Sequence, residues 1–190
     1  MSQNKNFTVD DLSKYVGENL SGLDDERAVA LDALLVLRKA KNNTLVREYN
    51  RLLNVLGPNH PRSARLLNKI DVNRSLMNDL AAEAVRARTE LPDPNPNGWI
   101  LSGFVRDKEL RGVSKLSVAL YTLNGNEAKD LGRATTNEDG YFRLDADGGL
   151  ISKYPLLQAR AVDGASTIGS DEKPLQPKIG GVDYRELIIK

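Results

Sequence analysis

The turn Asn137-Glu138-Asp139-Gly140 restricts the fold of this chain more than any other feature, because runs suited to β-structure flank it on both sides. Asn, Asp and Gly favour tight reversals, and Gly140 can take a positive φ where the chain enters the next strand. Gly132-Arg133-Ala134-Thr135-Thr136 before it and Tyr141-Phe142-Arg143-Leu144 after it therefore read as two strands of a hairpin. Upstream, Gly98-Trp99-Ile100-Leu101-Ser102-Gly103-Phe104-Val105-Arg106-Asp107 is rich in β-branched and aromatic residues. Leu116-Ser117-Val118-Ala119-Leu120-Tyr121-Thr122 alternates with period two. This alternation predicts strands with one face buried and the other wet.

Further strands are predicted at residues 156–162 and 184–189, with an edge strand near Thr167-Ile168. Six or seven short strands separated by turns indicate an antiparallel β-sandwich. Its expected core is Phe104, Val118, Leu120, Phe142, Leu157, Ala159, Leu187 and Ile189. Three segments carry a resemblance: Gly103-Phe104-Val105-Arg106-Asp107, then Gly112-Val113 followed by Val118 and Leu120, then Thr136-Asn137-Glu138-Asp139-Gly140-Tyr141-Phe142. Together they resemble the carboxypeptidase regulatory-like, transthyretin-like β-sandwich family over residues 98–190. Arg111-Gly112-Val113-Ser114-Lys115 stands where that family has a small residue or Pro before the second strand. The resemblance implies a non-catalytic accessory, stalk or adhesion module. The N-terminal half carries no such resemblance.

That half reads as α-helical. Thr8 offers an N-cap, with Asp10 and Asp11 in the first turn, where the helix dipole favours negative charge. Val9, Leu12, Val16 and Leu20 give a short amphipathic helix ending near Gly17 or Leu20. A second start at residues 21–25 loads Asp24, Asp25 and Glu26 into another first turn. The apolar set of this second helix, Ala28, Leu31, Leu34, Leu35 and Val36, is broad enough to be buried on more than one side. It is expected to run to about Lys41, and Leu45, Tyr49, Leu52, Leu53 and Leu56 then read as its continuation or as a new helix recapped by Thr44. Gly57-Pro58 is a stop, and Pro61 suits the first turn of the next helix, over residues 61–89.

In that helix Leu66, Ile70, Asn73, Met77, Leu80, Ala84 and Ala87 recur at alternating intervals of four and three, a heptad seam. Asn73 is the kind of residue that fixes register, and Ala84 and Ala87 permit close approach of another helix. The seam serves either an intramolecular hairpin or an intermolecular coiled coil. Leu91-Pro92-Asp93-Pro94-Asn95-Pro96-Asn97, with prolines at alternate positions, reads as a stiff extended linker. The expected organisation is thus an α+β chain: an α-helical domain over 1–90, a Pro-rich linker over 91–97 and a β-sandwich domain over 98–190.

The chain has no Cys, so it can form neither disulfides nor thiolate metal sites. Its net charge is +1, which disfavours capture of nucleic acid by charge alone. No apolar run is long enough to span a bilayer, so membrane insertion is not expected; with no hydrophobic leader in the chain as given, the location as written is cytoplasmic, secretion by another route stays open, and the location is left unassigned. His60 is the only histidine and reads as structural or exposed. No nucleophile elbow, phosphate loop or dinucleotide fingerprint occurs. The residues therefore assign no catalytic, cofactor or metal site, and the chain reads as no enzyme. Asp93-x-Asn95-x-Asn97-Gly98 matches the start of a calcium loop, but Phe104 stands where its bidentate Glu belongs. Asp145-Ala146-Asp147-Gly148 reads as a turn. Arg38, Lys39, Lys41, Arg47, Arg51, Arg62, Arg65, Lys69 and Arg74 form a basic strip that reads as a solvated face. A Lys115 to Asp183 cross-link is the one pairing of that kind left open. The expected function is structural: a protein partner or a second copy bound through the helices, with the sandwich as a display or adhesion module. The alternative is an accessory module binding carbohydrate or calcium.

Overall fold

The computed structural model describes the backbone of residues 9–164, 166–171 and 173–189, with side chains from residue 22 onward. Residues 1–7, the Thr8 cap and the side chains of Val9, Leu12, Val16 and Leu20 lie outside the described residues. The chain divides into two compact units, Met1–Glu90 and Leu91–Lys190.

The first unit is a helical pair. Helix α1 runs unbroken over Val9–Leu56 and α2 over Pro61–Arg88. The expected restart at residues 21–25 does not occur, because nothing there breaks the i to i−4 ladder. Gly22 costs only backbone entropy, and the acidic triplet is compatible with a helix interior. Continuation past Asn42-Asn43 holds for a visible reason. The Thr44 hydroxyl donates to the Ala40 carbonyl one turn back instead of capping a new start. Gly57, at φ +80°, closes α1 with its N–H on the Leu53 carbonyl. His60 is the N-cap of α2, its Nδ1 accepting the Arg62 N–H, and Pro61 fills the first turn, which lacks intrahelical partners anyway. Burial along α1 is one-sided rather than all-round: Ala28 is buried, Leu31 and Leu35 half-buried, while Leu34 and Val36 are exposed.

Among its described residues the second unit holds seven strands: β1 (Gly98–Arg106), β2 (Ser117–Thr122), β3 (Arg133–Thr135), β4 (Tyr141–Asp147), β5 (Leu157–Asp163), β6 (Ser166–Ser170) and β7 (Val182–Ile188). They form two sheets, ordered β4-β1-β7 and β3-β2-β5-β6. The expected all-antiparallel arrangement is corrected at one place, because β7 pairs with β1 in parallel, Gly103 opposite Arg185. One hydrophobic core takes Leu101, Val105 and Phe142 from the first sheet and Val118, Leu120 and Ala159 from the second. The sequence reading missed the turn Lys129–Leu131 and the one-turn helix α3 (Gly148–Ile151), which contribute Leu131 and Ile151 to that core.

Strand β1 departs from the alternation rule. Trp99, Leu101 and Val105 belong to the core, yet Ile100, Ser102, Phe104 and Arg106 on the opposite face are buried too. Phe104, expected in the core, instead meets Tyr141 and Tyr184 edge-on at 5.5 and 6.4 Å, with the Arg106 guanidinium 4.5 Å above its ring. Ile189 packs against the core while only partly buried. The β3–β4 turn forms as the residues require: Asn137 Oδ1 accepts the N–H groups of Asp139 and Tyr141, and Gly140 sits at φ +78°. Residues 91–97 carry a turn of their own, since Asn95 Oδ1 accepts the Asn97 N–H and the Asn97 carbonyl accepts from Gly148. Pro92 is buried.

Candidate interaction site

Within the helical pair, the seam positions of α2 fall on its more enclosed side. Ile70, Asn73 and Ala84 are buried, while Leu66, Met77, Leu80 and Ala87 are half-buried. Asn73 ties α2 to α1: its Nδ2 donates to the Arg38 carbonyl at 3.1 Å and to Asn42 Oδ1 at 3.3 Å, and it also contacts Met77 Sδ. Asn73 Oδ1 is buried and has no hydrogen-bond partner among the described residues. A polar group left half-satisfied in an apolar seam costs stability but admits one register only. Ion pairs bracket the far end of the pair. Arg27 reaches Glu83 at 2.9 Å, Arg88 reaches Asp32, and Glu83 also accepts from Arg86.

The other side of α1 is apolar and open. Val29, Leu34, Val36 and Leu37 are 68%, 48%, 64% and 66% exposed, and Ala30, Ala33 and Ala40 beside them are exposed as well. Sequence reasoning placed part of this set in a core. The available signal was the phase of the apolar residues: Ala28, Leu31 and Leu35 already fill one stripe, and Val29, Ala33, Val36 and Leu37 lie off it.

At the Gly57 end, the basic strip condenses into a groove. Arg51, Arg62, Arg65 and Lys69 line a cavity of about 310 Å³ with Glu48, Leu52 and Leu66. Glu48 pairs with Arg51 at 2.9 Å, and Asp71 stands 4.0 Å from Arg74. Arg38, Lys39, Lys41 and Arg47 lie along α1 away from this cavity's lining.

The loops of the second unit spend their polar groups internally. Asp107 holds its loop by accepting the N–H groups of Glu109 and Arg111 and the Arg111 side chain. Burial alone would raise the Asp107 pKa, but these bonds outweigh it and hold the carboxyl below its ordinary value. Glu127 is lowered by a bidentate bond from Arg133, at 2.7 and 2.8 Å. Asp147 caps α3 through the Gly149 N–H, and Asp145 pairs with Arg143. Trp99, the only tryptophan, is fully buried and donates its indole N–H to Asp183 at 2.7 Å. It therefore provides no surface platform for a sugar, and Asp183, the carboxyl of the cross-link left open above, is already bound. Among the described residues no group of three or more His, Asp or Glu gathers in a metal-binding arrangement. No helix there is long and apolar enough to cross a membrane.

No protein-family model matches the chain, and no curated protein matches it in sequence. Similarities to known structures exist at low identity. The Bacillus anthracis TIE protein is 15% identical over 50% of this chain and 16% of its own, with a TM-score of 0.36. BcpA, the major pilin subunit of Bacillus cereus, is 13% identical over 50% of this chain and 31% of its own, with a TM-score of 0.31. The 3-chlorocatechol 1,2-dioxygenase of Rhodococcus opacus 1CP is 12% identical over 52% of this chain and 61% of its own, also at 0.31. The chain thus spans less than a third of the length of the first two. None of the three singles out the transthyretin-like family. The expectation that the chain is no enzyme is corrected here. An enzyme stands among the structures it is similar to, so the lack of a familiar catalytic motif is no ground for setting catalysis aside. At these TM-scores no activity, substrate or partner passes from any of them to this chain.

Proposed function

We propose that this chain is a structural and interaction protein. Its helical unit makes the assembly contact, and its C-terminal unit, the two sheets packed face to face as a transthyretin-like sandwich, presents loops as a display or adhesion module. Residues 91–97 are the linker of this reading. The seam of Leu66, Ile70, Asn73, Met77, Leu80, Ala84 and Ala87 supports the contact by fixing α2 against α1. The observation that carries the reading is the open apolar face of α1. Three large apolar side chains about two-thirds exposed on one face within nine residues, Val29, Val36 and Leu37, cost solvation in a lone chain, and such patches mark protein contacts. Beyond being compatible with a structural role, the pilin similarity adds nothing specific. The test replaces Val36 and Leu37 together with Glu in the full chain. The variant is expected to keep its helical circular dichroism while losing the protein contacts that chemical cross-linking captures for the wild type in its native host. Retention of every contact by a folded variant would overturn the reading.

A further inference from the structure

Resting on that reading, we infer that the occupant of the open face of α1 is a second copy of this chain, docked antiparallel about a two-fold axis at Ala33. At about 100° per residue, positions 29, 30, 33, 36, 37 and 40 fall within one sector about 120° wide. This sector lies opposite the side that carries Ala28, Leu35 and Asn42, whose Oδ1 receives Asn73 from α2. From Val29 to Ala40 every residue in it is Val, Leu or Ala. The alanines at 30, 33 and 40 leave room for a second helix axis to come close, and Val29, Val36 and Leu37 supply the apolar contact around them.

The charges flanking this sector select the occupant and its direction. Glu26 lies within the sector ahead of Val29, with Asp25 at its edge, and Lys41 borders it just after Ala40, whereas Asp24 and Lys39 fall on the side that carries Ala28 and Asn42. The face is therefore acidic at one end, apolar in the middle and basic at the other, which makes it complementary to itself under a two-fold rotation. With the axis at Ala33, Glu26 comes level with Ala40 of the second copy and within one residue of its Lys41. A parallel pairing would instead stack Glu26 on Glu26 and Lys41 on Lys41, like charge on like. Three turns per helix is a small contact, so the association depends on concentration.

The wild type contains no Cys, so single introduced thiols report this geometry without background. Full-length Ala33→Cys is expected to form a disulfide-linked dimer under mild oxidation. Val29→Cys and Leu37→Cys are each expected to cross-link poorly alone and efficiently when mixed. Light scattering between about 1 μM and 1 mM is expected to show a monomer–dimer equilibrium. Glu26→Lys and Lys41→Glu should each weaken it several-fold, and the two combined in one chain should restore it. A Val29→Cys chain that cross-links to itself while Ala33→Cys and the mixture do not would overturn the antiparallel arrangement. A wild type that stays monomeric throughout, together with no cross-link from any of the three cysteine variants or their mixture, would overturn the second copy as occupant. If that monomer binds phosphatidylglycerol vesicles through the same face, a membrane surface is the occupant and the inference falls. If instead Val36→Glu with Leu37→Glu removes a different protein partner, the inference falls and the proposed function stands. If the double substitution changes no contact of any kind, both fall together.

Discussion

Gly140 shows how much a single position can state in advance. Turn chemistry is local, so Asn137 and Gly140 announce the β3–β4 turn within five residues, and the side-chain and backbone bonds of Asn137 form as that chemistry requires. The position is constrained twice over, by its φ of +78° and by a Val105 carbonyl that would lie 2.5 Å from an added Cβ. Gly140→Val is expected to lower stability on the order of 1–3 kcal/mol, read as a drop in the denaturant midpoint of the sheet unit. An unchanged midpoint would mean that this glycine carries no strain. Gly103 is equally constrained, since an added Cβ would fall 1.7 Å from the Arg185 carbonyl. Nothing in its neighbourhood of sequence says so, because the reason lies on a parallel strand about eighty residues away. The bond that Trp99 makes was illegible for the same cause: its partner Asp183 is remote in sequence, so no neighbouring residue announces it.

At the level of elements, punctuation was legible and continuity was not. Gly57-Pro58 and Pro61 mark the boundary between α1 and α2 through φ and a missing N–H, which are properties of single residues. The stretch at 21–25 carries the residues of a helix start without the break that would make one, since acidic side chains are tolerated inside an exposed helix. The seam of α2 was legible as a period, and three of its seven positions are buried in the structure, Ala84 among them. Ala84→Glu would place a carboxylate at a position now 2% exposed, beside the acceptor Glu83. The expected cost is about 3 kcal/mol or more, enough to melt the helical pair before the sheets. Circular dichroism at 222 nm should show that loss. A variant as helical and as heat-resistant as the wild type would mean that the buried position tolerates charge, and the seam would then lose its role as the support of α1.

For the whole molecule, the question is whether the two units are two folding units. The sheet unit contains its own core, drawn from both sheets, from Leu131 and from Ile151 of α3, and its first turn begins within residues 91–97. A unit of about 100 residues is large enough to bury the surface that stability demands. The fragment 91–190 is therefore expected to unfold in one cooperative transition near that of the same unit in the full chain. The single tryptophan makes this measurable, because Trp99 lies wholly inside the sheet unit. Its emission should be blue-shifted in the folded fragment and shift red only when the sheets open, whereas the 222 nm signal of the full chain is dominated by α1 and α2. Two independent units predict different midpoints for the two probes and a tryptophan midpoint unchanged by Ala84→Glu. Coincident transitions in the full chain, together with a fragment that shows no cooperative unfolding, would mean that the sheets need the helices to fold, and the division at residue 90 would then be one of shape without being one of stability.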